Sequence, residues 1–366
     1  MTPLQGSPRA NAHPADRCGE CHAALHAEWK TSAHARSQRS PLFVAMREKA
    51  GSKACEPCHA PLAALVQPGE PVIEEGVTCE ACHAIREASE GPAGVEYAYA
   101  LAENRKFGPI CDAKDNYFHR MGCSPLHREA RFCGGCHAWT MDAKAGAKLA
   151  VFTDYPEWKA TSYAQAGIAC QDCHMPTTTA QVASGAERKV RVGNHGFLAG
   201  GGERARHALG LVAKASDLDG RIALEVSLKN EGAGHAVPAG MPGRQVIVRV
   251  RVLDAAGNEG AHEERALGRV LGDEAGREVP FYAAQKEQAD ERIKPGETRK
   301  LDFTLEAPSE GTVEVAVAWR SASPAIVAAT GVPAEERPMT EAKIPFGARQ
   351  KGAGRALLPK TVMVRP

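Results

Sequence analysis

Residues 18–22 read Cys-Gly-Glu-Cys-His, and the same spacing returns at Cys55, Cys58 and His59, at Cys79, Cys82 and His83, at Cys133, Cys136 and His137, and at Cys170, Cys173 and His174. With 12 cysteines and 14 histidines in 366 residues, chance would supply roughly 0.015 such motifs, so five mark C-x-x-C-H haem attachment. In each, the two sulfurs form thioethers to the porphyrin and the adjacent histidine becomes the proximal iron ligand. Cys18, Cys21, Cys55, Cys58, Cys79, Cys82, Cys133, Cys136, Cys170 and Cys173 are thus expected to carry five covalently bound haem c groups. His22, His59, His83, His137 and His174 are the expected proximal ligands. Zinc would need pairs of C-x-x-C or a spaced histidine to complete a tetrahedron, and a redox dithiol would occur once, within a βαβ pattern.

Working outward, all twelve cysteines lie between Cys18 and Cys173, and none occurs in the following 193 residues. The first part is rich in Gly and Pro with short apolar segments, so the porphyrins themselves are expected to supply much of its core. Helical pieces are expected near 24–29 and 41–49. From about His207 the pattern has period two: Ile222, Leu224, Val226 and Leu228, then Val246, Val248, Val250 and Val252, then Val313, Val315, Val317 and Trp319, each alternating with other residues as half-buried strands do. Turn signals at 217–220, 255–258, 295–297 and 308–311 separate them, and with weaker strands at 209–213 and 301–305 the count approaches the six or seven of a small sandwich. The expected architecture is multidomain: a mainly α and irregular multihaem domain over 1–205, an all-β immunoglobulin-like sandwich over 206–349, and an extended tail over 350–366.

Lys plus Arg of 45 against Asp plus Glu of 44 leaves a net charge of +1, which gives no reason to invoke nucleic acid or a membrane surface. No 18-residue apolar run offers a membrane span. Haem is attached outside the cytoplasm, so a periplasmic or extracellular location is expected, although residues 1–17 contain no apolar core of a signal peptide. A leader is expected to have preceded the given sequence.

An internal echo is visible. Cys18 to Cys55 and Cys133 to Cys170 both span 37 positions, and each interval holds Glu-Trp-Lys, at Glu28-Trp29-Lys30 and Glu157-Trp158-Lys159. The first is followed by Thr-Ser-Ala-His34 and the second by Ala-Thr-Ser-Tyr163, which raises the question of whether one iron lacks a distal imidazole. Cys111 and Cys123, outside the motifs, are expected to form a disulfide holding the loop that contains His119.

These residues carry a resemblance. Cys18 to His22 with Glu28-Trp29-Lys30, Ser32 and His34-Ala35, then CEPCHAPL (55–62), EGVTCEACHAI (75–85), Gly108-Pro109 with Asp112-Ala113 and His119, FCGGCH (132–137) and GIACQDCHMP (167–176) are similar to multihaem cytochromes of the cytochrome c-554 type. NHGFLAGG (194–201) and NEGAGHAVPAG (230–240) resemble segments that join and open a β-domain in larger members. The resemblance implies distal histidines supplied from far along the chain, at His34, His119, His195 and His235. His127, just before Cys133, is the next candidate, with His26 competing. Imidazole on both faces gives an electron carrier, and an open face gives a site for chemistry. The expected function is electron transfer between redox partners, which would be other cytochromes or a quinol-linked membrane complex. Two other expectations stand beside it: a reductase of a nitrogen or sulfur oxyanion at one open haem, and a subunit of a conductive assembly with homo-oligomers formed through the β-domain. An electron carrier is favoured over an enzyme because the supply of histidines is ample.

Overall fold

Val246, Val248, Val250 and Val252 are all fully buried, as are Ile222, Leu224, Val226 and Leu228 to within 3%, so the period-two stretches are strands with one face in a core. The structure, a computed structural model, describes residues 12–51, 53–91, 94–143, 146–198, 203–347 and 360–364. It divides into two compact units, one of Met1–Asp142, Ala150–Leu198 and Thr330–Val332, the other of Ala143–Leu149, Ala199–Ala329 and Pro333–Pro366.

In the second unit nine strands are described: β1 Leu209–Asp217, β2 Arg221–Asn230, β3 Gln245–Asp254, β4 Glu259–Gly272, β5 Lys286–Asp290, β6 Thr298–Glu306, β7 Gly311–Arg320, β8 Glu336–Phe346 and β9 Lys360–Val364. They form a four-stranded sheet in the order β6-β2-β1-β9 and a five-stranded sheet in the order β5-β4-β3-β7-β8. Every pairing is antiparallel, with Val226 opposite Leu301 and Ala213, and Val248 opposite Val317. The inner faces share one apolar cluster that includes Leu211, Leu228, Val250, Phe303, Val315 and Ile344. Burying each such side chain contributes about 1.5–3 kcal/mol. The β1–β2 turn is a two-residue hairpin in which Asp219 (φ 45°) and Gly220 (φ 79°) both take the left-handed region. The Asp-Gly pair suits that turn because it matches the strand twist.

Three strands were not foreseen. β4 and β8 carry charge where apolar alternation would announce a strand: on the outer face Arg249 pairs with Glu264 and Glu336 at 2.7 Å, and Arg320 with Glu336 at 2.7 Å and Glu264 at 3.0 Å. β8 also contains Pro338 and Pro345, tolerated because it is an edge strand that need not donate on its open side. β5 is five residues long and mostly exposed. The tail expected over 350–366 is, within its described part, strand β9 on the edge of β1; 350–359 lie outside the described residues.

The first unit is built from short pieces. Helices at Ala23–Thr31 and Pro41–Ala50 lie close to the expected positions. The second starts with Ser40 accepting from the Phe43 amide at 3.3 Å and with Pro41 in the first turn, and it stops at Gly51 in the left-handed region. Motif residues form single helical turns at Glu56–His59, Cys79–His83, Arg131–Gly134 and Cys170–His174. Between them lie two-stranded ribbons, Ile85–Gly91 with Gly94–Tyr99, Arg105–Gly108 with Arg120–Cys123, and Thr177–Ala180 with Val190–Gly193, so this unit holds more strand than expected. Cys111 and Cys123 form the disulfide anticipated for the loop containing His119.

The echo has a structural counterpart in a register other than the 37-residue one. The indole of Trp29 donates to the Val77 carbonyl at 2.9 Å, and that of Trp158 to the Ile168 carbonyl at 2.9 Å. The Val77 amide donates to His34 O at 3.2 Å, and the Ile168 amide to Tyr163 O at 2.9 Å. Val77 and Ile168 each stand two residues before a motif cysteine, Cys79 and Cys170. The matching segments therefore run from Trp29 to Cys79 and from Trp158 to Cys170, and the motif at Cys55 sits inside an insertion in the first.

Candidate haem centres

The helical turn of each motif brings cysteines and histidine to one side. The His22 amide donates to Cys18 O at 2.8 Å, and the His137 amide to Cys133 O at 3.0 Å. The Gly134-Gly135 pair follows from packing: a Cβ on Gly135 would stand 2.5 Å from the Tyr97 ring. The Tyr97 hydroxyl meanwhile accepts from the Gly135 amide at 2.9 Å and donates to Phe132 O at 2.7 Å.

All five motif histidines have Nδ1 committed elsewhere. His22 is tied to Val182 O at 2.6 Å, His59 to Ser37 O at 2.9 Å, His83 to Phe107 O at 2.6 Å and His174 to Leu198 O at 2.8 Å, while His137 Nδ1 faces Asp154 Oδ2 at 3.6 Å. A ring held through Nδ1 offers Nε2, which is the outer-sphere arrangement of a metal-binding imidazole. Burial above all pushes His34 and His83 down to about 3 and lowers His59 and His195, so these rings stay neutral, as a ligand must. Burial also pulls on His137, but the Asp154 carboxylate outweighs it and raises that imidazole. These residues fit haem iron.

Two imidazoles bound to opposite faces of one iron at about 2 Å each would hold their centroids about 6.3 Å apart. His22 and His119 have centroids 6.3 Å apart, His83 and His195 6.2 Å, and His34 and His137 6.4 Å. His119 is presented by the disulfide-closed loop, where Asn116 Oδ1 accepts from the amides of Phe118 and His119. His195 is steadied by Glu28, whose carboxylate accepts its amide at 2.8 Å. The ring neighbour of His59 is Phe43, stacked at 3.9 Å, and among the described residues no imidazole makes a ring contact with it. His127 stacks on His83 at 5.4 Å and on Phe132 at 4.4 Å, with both ring nitrogens buried and without a hydrogen-bond partner. His26 faces Asp16 at 3.1 Å. His235 lies in the β2–β3 loop of the second unit, Nδ1 at 3.1 Å from Ala236 O.

Sulfurs of different motifs also act on one another. The Cys18 thiol is lowered chiefly by Cys79, that of Cys58 by Cys136 and that of Cys170 by Cys133. Burial pushes the Tyr99 phenol well up, with Cys136, Cys82 and Cys58 adding to the effect.

The protein family described as "Cytochrome c554 and c-prime" matches residues 17–84. A penta-heme cytochrome c552 from Thermochromatium tepidum has a similar structure, with a TM-score of 0.73 and 22% identity over 91% of this chain and 99% of that one. The chain shares the fold of that multihaem cytochrome over nearly its whole length, and the family likeness covers its first three motifs, up to residue 84. A β-glucuronidase from glycoside hydrolase family 2 and a putative β-galactosidase from Bacteroides fragilis also align, at 12% and 14% identity over 39% and 46% of this chain and 11% and 20% of theirs, but TM-scores of 0.20 carry no argument. No curated protein matches. No helix among the described residues is long and apolar enough to cross a membrane. The roles of Glu28 and Trp29 beside these centres were not read from the sequence, although the repeated Glu-Trp-Lys was the available signal. Asp154 left no comparable mark.

Proposed function

We propose that this protein carries five haems and passes electrons between redox partners outside the cytoplasm. The observation that carries this reading is the trio of facing imidazoles, which supports His119, His195 and His34 as distal ligands to the haems of His22, His83 and His137. Bound haem supplies one-electron chemistry, and imidazole on both faces leaves little room for anything else to bind. His235 is retained as a candidate distal ligand on the resemblance of its segment, with His127 as an alternative imidazole. The β-domain, taken as 206–349, is read as an immunoglobulin-like sandwich that docks partners, which would be other cytochromes or a quinol-linked complex. The multihaem domain is taken as 1–205.

A second reading rests on His59, which has no facing imidazole among the described residues. Its haem would keep an open face, suited to a small nitrogen or sulfur oxyanion. Intact-mass measurement with pyridine haemochrome counting should give five haems. Low-temperature EPR with carbon monoxide titration of the reduced protein should find one binding haem, and His119→Ala, His195→Ala and His34→Ala should each add one more. If none of the three variants gains a carbon monoxide site, the ligand assignments are wrong. A wild type that binds no carbon monoxide removes the reductase reading.

A further inference from the structure

We propose that the loop closed by Cys111 and Cys123 is a docking face for an acidic one-electron carrier protein, which seats on two outward aromatic rings beside the His22–His119 centre. This rests on the chain being an electron carrier and goes further, giving the motif-bearing unit a docking face of its own and fixing the charge of the partner.

Tyr117 and Phe118, 96% and 66% exposed, are the two most exposed large hydrophobic side chains among the described residues. Their rings meet edge to face with centroids 5.5 Å apart. The backbone that carries them is pinned. Asn116 Oδ1 accepts the Phe118 amide at 2.9 Å and the His119 amide at 3.1 Å. Asn104 Nδ2 donates to Phe118 O at 2.9 Å, Asp115 Oδ1 accepts the Met121 amide at 2.8 Å, and the disulfide closes the ends. Apolar side chains stabilise a fold only when buried, so rings turned into water on a fixed loop do nothing for this chain alone. Adjacent exposed aromatic anchors on fixed backbone are what a partner buries at the centre of an interface.

His119 directly follows Phe118, and its ring faces that of His22 with centroids 6.3 Å apart. His22 is held in turn by the Val182 carbonyl at 2.6 Å, in the segment between the paired strands 177–180 and 190–193. Arg188 of the same segment pairs with Asp112 of the loop. Loop and hairpin thus form one rim around this centre, and an electron from a protein seated on Tyr117 and Phe118 enters there.

The rim also states the charge of its partner. Residues 111–128 and 181–191 hold six basic side chains against three acidic ones, in a chain whose net charge is only +1. Arg188 takes up Asp112, whereas Lys114, Arg120, Arg128 and Lys189 are exposed and make no ion pair among the described residues. Uncompensated positive charge steers an acidic protein into contact and repels a basic one.

The oxidised holoprotein would be mixed by stopped flow with a reduced plant-type two-iron ferredoxin, an acidic donor whose cluster gives up the one electron that a ferric haem takes. The rate should fall steeply as ionic strength rises. Lys114→Glu/Lys189→Glu should slow it by about tenfold or more at low ionic strength and flatten the salt dependence. Tyr117→Ser/Phe118→Ser should slow it at every ionic strength. Lys214→Glu/Lys300→Glu, on the β-domain, should leave it unchanged, and reduction by dithionite at the wild-type rate shows each variant to be intact. If the serine variant does not fold, the charge reversal decides. Rim variants as fast as wild type, or equal slowing by the β-domain pair, would overturn the proposal. So would a wild type that gives electrons to ferricytochrome c, a basic acceptor, but takes none from the ferredoxin. A wild type that dithionite reduces but that exchanges electrons with neither protein defeats the carrier reading itself, and the proposal with it.

Discussion

The two units of this protein hold themselves together with different materials. Among the described residues of the β-domain, twenty-five buried ones form one apolar cluster in which Val, Leu and Ile alternate along the strands. In the motif-bearing unit the largest cluster among the described residues has eight members, three of them alanine, with only Ile73, Val77 and Tyr99 packed against it as partly buried hydrophobics. Apolar burial stabilises the first by itself. The second buries far less, so the proposed haems would have to supply the rest of its core, and its fold and its proposed function would then depend on the same atoms.

That contrast breaks most visibly if the haems are withheld. Made without haem attachment, the chain should lose residues 12–198 to limited proteolysis while a fragment near 203–347 persists, read by mass spectrometry. Equal resistance of the two parts would show that the motif-bearing unit has an adequate core of its own. The converse test is Leu228→Ala, which should destabilise the β-domain by about 2–5 kcal/mol in denaturant unfolding. A loss below 1 kcal/mol would mean that its core is looser than its burial implies.

Replacing both Cys111 and Cys123 by serine removes a constraint of about 3 kcal/mol, the scale for closing a loop of this length. The effect should appear as faster amide exchange over 111–123, with the haem of His22 gaining carbon monoxide binding as His119 becomes free to leave. A smaller effect is expected in acid. Glu336 is held down to about 2, chiefly by its hydrogen bond to Arg249, against an ordinary 4.5. Its folded value is depressed, so its contribution is present above 4.5 and disappears as pH falls toward 2. Glu336→Gln should flatten the decline of β-domain stability across that window in an acid titration followed by circular dichroism.

Much of this could be read from the chain because two of its signals are local. A C-x-x-C-H turn carries its chemistry within five residues, and a half-buried strand announces itself by alternation, as 222–228 and 246–252 do. β4 and β8 escaped notice because their outer faces are stabilised by Arg249, Glu264, Arg320 and Glu336 across strands, a pattern with no period. The proposed distal partners are less legible, since the interval from His34 to His137 or from His83 to His195 has no rule in the sequence, and only the resemblance pointed to these residues. His127 was ranked by its place before Cys133, whereas its ring stacks on His83. Equal 37-residue intervals suggested the wrong register for the duplication, because spacing cannot reveal an insertion and hydrogen bonds can.

Those hydrogen bonds have a further consequence. In one arm the Trp29 indole and the His34 carbonyl fasten a single residue, Val77, with 35–76 looped out between His34 and Val77; in the other, Trp158 and Tyr163 fasten Ile168 with only 164–167 between. A clasp that closes equally over four residues or over a whole haem-bearing segment makes the number of redox centres a modular property of the chain. A shortened version, with 35–76 replaced by a turn as brief as 164–167, would be a wire with one station removed and its neighbours still clasped in place.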